Sequence, residues 1–233
     1  PIEKYYASMK KWLDYMQMNH MRNYIMERDG YGDWCVPPEA KELIHSNDSL
    51  RKTNGTLIST AYFFHFMKLM QQYAQVSGNE HDIPHYQSLA DSVGAAFNRK
   101  YYNAKTSQYG NNTVTANLLP LVFGMVPKGD DEKVFGSIIE KTVRQNNTHV
   151  TSGIIGMQWF LRGLTKYGRS DVAYRLATNT DFPSWGYMLQ NGATTIWERW
   201  DGIKPNGRFQ DAGMNSFNDY AYGAVGDWLY QVE

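Results

Sequence analysis

Leu57-Ile58-Ser59-Thr60-Ala61-Tyr62-Phe63-Phe64-His65-Phe66-Met67-Lys68-Leu69-Met70-Gln71-Gln72-Tyr73-Ala74-Gln75-Val76 carries apolar side chains around most of a helical circumference. A helix of that kind is buried on several sides, unlike a surface helix with one apolar stripe. Ser77-Gly78 ends it. The segments on either side read differently. From Ile2 to Met26, apolar residues recur at Ile2, Tyr5, Met9, Trp12, Leu13 and Met16, the i, i+3, i+4 spacing of an amphipathic helix, and Asp29-Gly30 supplies a stop. Pro84 to Tyr102 shows Leu89, Val93, Ala96 and Phe97 on one face, with a proline in its first turn.

The alternation continues. Ala116 to Phe123 is a short apolar helix. Asp130 to Arg144 has acids in its first turn and Lys141 and Arg144 in its last, which complements the helix dipole. In Thr151 to Tyr167, Gly153 and Gly156 would admit a close neighbour. Ser170 to Thr178 is short, and a last helix is expected from about Ser216 to Val232. No alternating strand of useful length is found, which argues against Rossmann, TIM-barrel and sandwich folds. Buried helices alternating with amphipathic ones predict an all-α fold of two concentric helical layers. At this spacing a closed double ring of twelve helices needs roughly 350 residues, so a partial ring of about seven or eight is expected.

Composition sets outer limits. Of 233 residues, 42% are hydrophobic and 20% charged, as in ordinary globular chains. The formal net charge of zero offers no electrostatic case for nucleic acid or an anionic membrane surface. No run approaches the roughly 18 apolar residues of a membrane span. Pro1-Ile2-Glu3-Lys4 shows neither an initiator Met nor a signal peptide, so the sequence reads as a processed or excised piece. Cys35 stands alone, which rules out an internal disulfide and leaves the compartment open. Sequons at Asn47, Asn54, Asn111 and Asn146 matter only in a glycosylating host. His81 and His85 are interrupted by Pro84, which argues against a zincin, and no P-loop, G-x-S-x-G or zinc-type Cys pair occurs.

Two connections, Gly30–Asn54 and Asp181–Gly213, far exceed the usual ~4–6 residues, and long loops on a helical scaffold commonly carry function. In Gly30-Tyr31-Gly32-Asp33-Trp34-Cys35-Val36-Pro37-Pro38 an aromatic stands beside a carboxylate. That pairing suits a sugar, whose apolar face covers a ring while its hydroxyls donate to an acid. A helix-ending turn with an inward Trp fits the same residues. Pro183 to Asp201 holds Trp185, Trp197, Trp200, Tyr187, Glu198 and Asp201 within 19 residues. Glu198 between two tryptophans has the makings of a water-activating base, with Arg199 favouring its charged form. A Glu–Arg surface pair beside core tryptophans also fits. Gly213-Met214-Asn215-Ser216-Phe217-Asn218-Asp219-Tyr220 reads as a helix N-terminus beside a pocket, or as a plain capped one.

Taken in order, Gly32-Asp33-Trp34, Pro183-Ser184-Trp185-Gly186-Tyr187, Gly192-Ala193-Thr194-Thr195-Ile196-Trp197-Glu198-Arg199-Trp200, Met214-Asn215-Ser216-Phe217-Asn218 and Tyr220-Ala221-Tyr222-Gly223-Ala224-Val225-Gly226 resemble the α-L-rhamnosidases of glycoside hydrolase family 78. The resemblance runs from the first helix to Glu233 and implies part of a catalytic (α/α)6 barrel, the six-hairpin toroid. Upstream barrel helices and flanking β domains are expected to lie outside the chain. It implies inverting hydrolysis of terminal α-L-rhamnosyl residues in an oligosaccharide or glycoside, without a cofactor. Glu198 matches the family's general base, and Asp33 and Trp34 match a motif lining the rhamnose subsite. Trp185 and Trp197 are expected to shape the same pocket. Asp219 stands where the family usually has a sugar-contacting His. The family's general acid lies in an Arg-Asp-Glu-containing motif, and no such motif occurs here. A non-catalytic carbohydrate-binding toroid and a helical-barrel glycosidase of other sugar specificity stay open. So do completion by a further segment of the same polypeptide and a homo-oligomer. A periplasmic or extracellular setting is favoured over a cytoplasmic one.

Overall fold

The computed structural model describes residues 1–27, 29–37 and 50–232. The middle of the first long loop, with Pro38 and the Asn47 sequon, lies outside the described residues. The fold is built from helices α1 (Ile2–His20), α2 (Gly55–Val76), α3 (Ile83–Tyr101), α4 (Val114–Phe123), α5 (Asp131–Ile139), α6 (Ile154–Lys166), α7 (Ser170–Thr178), α8 (Trp185–Gln190) and α9 (Ala224–Gln231). None of them is long and apolar enough to cross a membrane.

Local chemistry explains the ends. The Asn54 side chain accepts from the Thr56 and Leu57 amides and starts α2. Thr113 does the same for α4 through Ala116, and α4 stops where Gly124 turns left-handed at φ 74°. The first helix is shorter than its apolar stripe, ending at His20 rather than Met26. Asn23 (φ 51°) and Tyr24 (φ 62°) form a two-residue turn that pairs β1 (Met21–Arg22) with β2 (Ile25–Met26). A second small hairpin joins β3 (Tyr102–Asn103) to β4 (Gln108–Tyr109). The helix after Asp130 widens into a π-helical turn over Glu140–Gln145. The last helix starts at Ala224, eight residues later than expected, because residues 216–219 commit backbone groups to the strand-like segment 196–198.

The two layers are present. In succession α2, α4, α6 and α9 are neighbours, while α3, α5 and α7 pack against α2, α4 and α6 respectively. Of the ten residues of α4, nine are buried, including Leu118, Leu119, Leu121 and Phe123. Glycines on α6 permit the α4–α6 contact: a Cβ at Gly156 would fall 2.1 Å from Thr115 Oγ1, and one at Gly163 would fall 2.7 Å from the Leu118 side chain. The inner helices enter the core from one end. Thr53 and Thr113, which precede α2 and α4, share a 2.6 Å hydroxyl hydrogen bond, and Thr115 in the first turn of α4 meets the start of α6.

Candidate active site

The described parts of both long loops lie at that common end. Trp200 Nε1 donates to the Ser152 carbonyl just before α6 at 3.3 Å, and the Tyr222 hydroxyl donates to the Cys35 carbonyl at 2.7 Å.

Asp33 organises the first loop. It is buried, and its carboxylate accepts from four donors: the Thr115 hydroxyl at 2.5 Å and the amides of Gly153, Ile155 and Gly156 at 2.9, 3.0 and 3.3 Å. These amides belong to the first turn of α6, where backbone N–H groups lack helical partners and the dipole favours an anion. Burial pushes the Asp33 carboxyl above its ordinary value, and the Thr115 hydroxyl and the three amides pull it back down. The chain then turns so that the Trp34 carbonyl accepts from Ile154 N at 2.8 Å. Gly153 is required there, since a Cβ would stand 1.8 Å from that carbonyl oxygen. Asp33 thus serves as a clamp between loop and helix, and its oxygens are engaged within the protein.

Trp34 is half-buried and meets Tyr31 edge to face at 5.2 Å. Both line an open cavity of about 550 Å³, together with His20, Glu27, Asp29 and Ile155. His20, Glu27 and Asp29 were missed by sequence reading, because they flank a helix end and a hairpin that periodicity did not separate.

Glu198 lies on the neighbouring segment and does not line that cavity. Its amide donates to the Ser216 carbonyl at 2.9 Å, and the Ser216 amide donates back to Glu198 Oε2 at 2.8 Å. Oε1 has no partner among the described residues. The side chain is half-buried, next to buried Trp197. Arg199 is not its ion-pair partner. That guanidinium turns inward, 1% exposed, and pairs with Asp201 at 3.2 Å. Glu198 also stands close enough to raise the pKa of the buried Cys35 thiol, second only to burial itself. Glu198 is therefore near Cys35, one residue beyond Trp34.

The other expected site residues are placed as follows. Trp185 is buried against Trp200, with ring centroids 5.1 Å apart, and donates to the Tyr222 carbonyl, so it belongs to the packing beneath the loops. Trp197 packs edge-on against Phe217 and lines a separate cavity of about 280 Å³ with Thr194, Thr195 and Phe209. Neither tryptophan lines the cavity beside Trp34. Asp219 accepts from the Ala221 amide at 2.8 Å and donates its own amide to the Ile196 carbonyl at 2.8 Å, closing the lacing of residues 196–198 onto 216–219. Among the described residues, no three His, Cys, Asp or Glu side chains gather as a metal site.

Residues 1–232 match the family described as the bacterial alpha-L-rhamnosidase 6 hairpin glycosidase domain. An α-L-rhamnosidase of Streptomyces avermitilis is 36% identical over 223 residues, covering 96% of this chain and 20% of the relative. One from Formosa agariphila is 33% identical over 231 residues, covering 99% and 24%. The chain thus spans between a fifth and a quarter of the length of these curated relatives. Among solved structures, the S. avermitilis α-L-rhamnosidase complexed with L-rhamnose is similar at a TM-score of 0.87 and 34% identity, over 98% of this chain and 21% of that one. The α-L-rhamnosidase from Dictyoglumus thermophilum follows at 0.86 and 32%, over 99% and 25%.

Proposed function

From the premise that the chain belongs to the bacterial α-L-rhamnosidase six-hairpin glycosidase family and has its helical fold, we propose that it forms part of an inverting glycosidase acting on terminal α-L-rhamnosyl residues, with Glu198 as general base. The observation that carries this reading is the state of the Glu198 carboxylate. One oxygen is held by the Ser216 amide, and the other has no partner among the described residues. A base must be oriented and yet keep a lone pair for the attacking water. Asp33 and Asp201 differ in this respect, since both oxygens of each accept from protein donors, whereas Asp219 is held at one oxygen only among the described residues, by the Ala221 amide.

The same contrast bears on the missing acid. Inverting hydrolysis needs a second carboxyl group about 6.5–9.5 Å from the base. Asp33 and Asp201 are spent on structure, and the Arg-Asp-Glu motif that carries the family's acid does not occur in this sequence, so in this reading the acid is supplied from outside these residues. In this reading the apolar face of the rhamnose ring packs on Trp34 in the open cavity, where His20, Glu27 and Asp29 in the lining are available to its hydroxyls. Asp33 acts on substrate indirectly, by holding Trp34 in place.

The test uses the complete polypeptide that carries the chain, with an aryl α-L-rhamnoside as substrate and the product followed by NMR. β-L-rhamnose is expected as the first-formed anomer, and Glu198→Gln slows its release by at least ~10²–10⁴. First-formed α-L-rhamnose overturns inversion, and wild-type turnover in Glu198→Gln overturns the base.

A further inference from the structure

Glu198 is held by backbone, but that backbone is held by a buried ion pair. Arg199 sends its donors in two directions. Nε reaches Asp201 Oδ1 at 3.2 Å, and Nη1 reaches the Met214 carbonyl at 3.2 Å. Asp201 Oδ2 accepts in turn from Gln210 Nε2. The Gln210 amide donates to the Gly202 carbonyl at 3.0 Å, and Asn215 Nδ2 donates to the same carbonyl at 3.0 Å. The network thus ties 199–202 to 210–215, and residue 216 follows directly with the amide that orients Glu198.

As a stability device this arrangement is poor. Arg199 is 1% exposed and the Asp201 side chain 6%. Removing two charges from water offsets most of their attraction, and such pairs are often replaceable by apolar residues without loss. Arg199 Nη2 and Asn215 Oδ1 are moreover buried without partners among the described residues. Each costs about 1–3 kcal/mol. What the pair supplies that an apolar filling cannot is direction. A planar guanidinium with fixed donor angles sets the register of two segments that otherwise lack regular secondary structure.

We infer that Arg199 and Asp201 are positioning residues for the reaction: their buried pair sets the register between 196–202 and 210–219, and so aims the Glu198 carboxylate. The inference rests on the reading of Glu198 as base, and the experiment separates the two. In the complete polypeptide, Asp201→Asn keeps the shape of the side chain and removes its charge. We expect kcat on an aryl α-L-rhamnoside to fall 10- to 100-fold with KM within twofold. In a Glu198→Gln background the same change should have no further effect on kcat, because there is no base left to aim. Amide hydrogen exchange gives a readout independent of turnover. The Ser216 and Glu198 amides should exchange at least tenfold faster in Asp201→Asn, with the amides of α2 and α4 unchanged. Arg199→Lys, which keeps the charge and loses the fork, is the second variant should Asp201→Asn fail to fold, with the same expectations. An equal fall in kcat with and without Glu198, or unaltered exchange at Ser216 and Glu198, overturns the positioning role. Wild-type turnover in Glu198→Gln overturns the base reading alone, and the exchange rates then decide the positioning role by themselves.

Discussion

The Tyr222 hydroxyl donates a 2.7 Å hydrogen bond to the Cys35 carbonyl, across 187 positions of sequence. Both residues are buried, and the Tyr222 hydroxyl is held protonated by burial first and by the surrounding charges second. The bond joins the loop carrying Trp34 to the segment that follows Glu198. Tyr222→Phe leaves the Cys35 carbonyl buried without this donor. A loss of about 1–3 kcal/mol is expected in denaturant unfolding. KM for an aryl α-L-rhamnoside should rise as Trp34 loses its fixed position. An unchanged midpoint of unfolding and an unchanged KM together would show that the two loops are held by other contacts.

Glu198→Gln preserves the shape of the side chain and its contact with Ser216 but removes the carboxylate proposed as the base. Turnover should fall by at least ~10²–10⁴, the range for general-base loss, while affinity for free L-rhamnose changes little. Steady-state kinetics with calorimetry of rhamnose binding makes the comparison. A large loss of rhamnose affinity at normal kcat would assign Glu198 to binding rather than to chemistry.

Gly153→Ala tests the clamp between loop and helix. Its Cβ would meet the Trp34 carbonyl oxygen at 1.8 Å, and backbone atoms cannot swing aside as a side chain can. Overpacking of this kind costs about 1–3 kcal/mol, and the displaced Trp34 should raise KM more than it lowers kcat. Asp33→Asn should be at least as damaging to stability, because an amide presents N–H to the α6 amides that now donate to a carboxylate. Thermal melts of both variants, with kinetics alongside, check the ranking. A fully stable Asp33→Asn would remove Asp33 from its structural role.

The remaining prediction concerns pH and lies away from the site. Asp82 accepts from Lys10 Nζ at 2.5 Å and from the Tyr6 hydroxyl at 2.9 Å, tying α1 to the turn before α3. The Lys10 ammonium first, and the Tyr6 hydroxyl after it, hold the Asp82 carboxyl below its usual value, against the opposing effect of burial. A carboxyl depressed in the folded state adds stability that is present above the unfolded value of about 3.9 and is lost as pH falls through the lower folded value. Asp82→Asn should therefore cost about 1–2 kcal/mol near neutral pH, a range lowered because Lys10 is part-exposed. The gap between the two melting curves should close as the acid range is entered. A gap that stays constant to low pH would place the effect in packing rather than in the ion pair.

Much of the fold was legible because burial writes itself into sequence. The all-round apolar face of 57–76 announced an inner helix, and Gly153 and Gly156 announced close approaches that the structure shows at Trp34 and Thr115. Other features were invisible for local reasons. The turn at Asn23-Tyr24 carries no glycine, so the helical stripe ran on through it to Met26. Helix α8, six residues inside a loop, is too short to show a period.

The residue types of the site stood in the sequence, but their partners did not. Asp33 beside Trp34 read as a sugar-facing pair, and Arg199 read as the neighbour of Glu198. A carboxylate takes whichever donors surround it in space. For Asp33 these are the free amides that open α6, 120 to 123 positions away. For Glu198 the donor is an amide 18 positions on, and Arg199 turns to Asp201 instead. Sequence alone determined the helical layers, because a repeating pattern of apolar side chains is a local property of each helix. Tertiary structure alone decided which carboxylate is spent on structure and which keeps a lone pair for water, because hydrogen-bond partnership depends on distances that chain order does not encode.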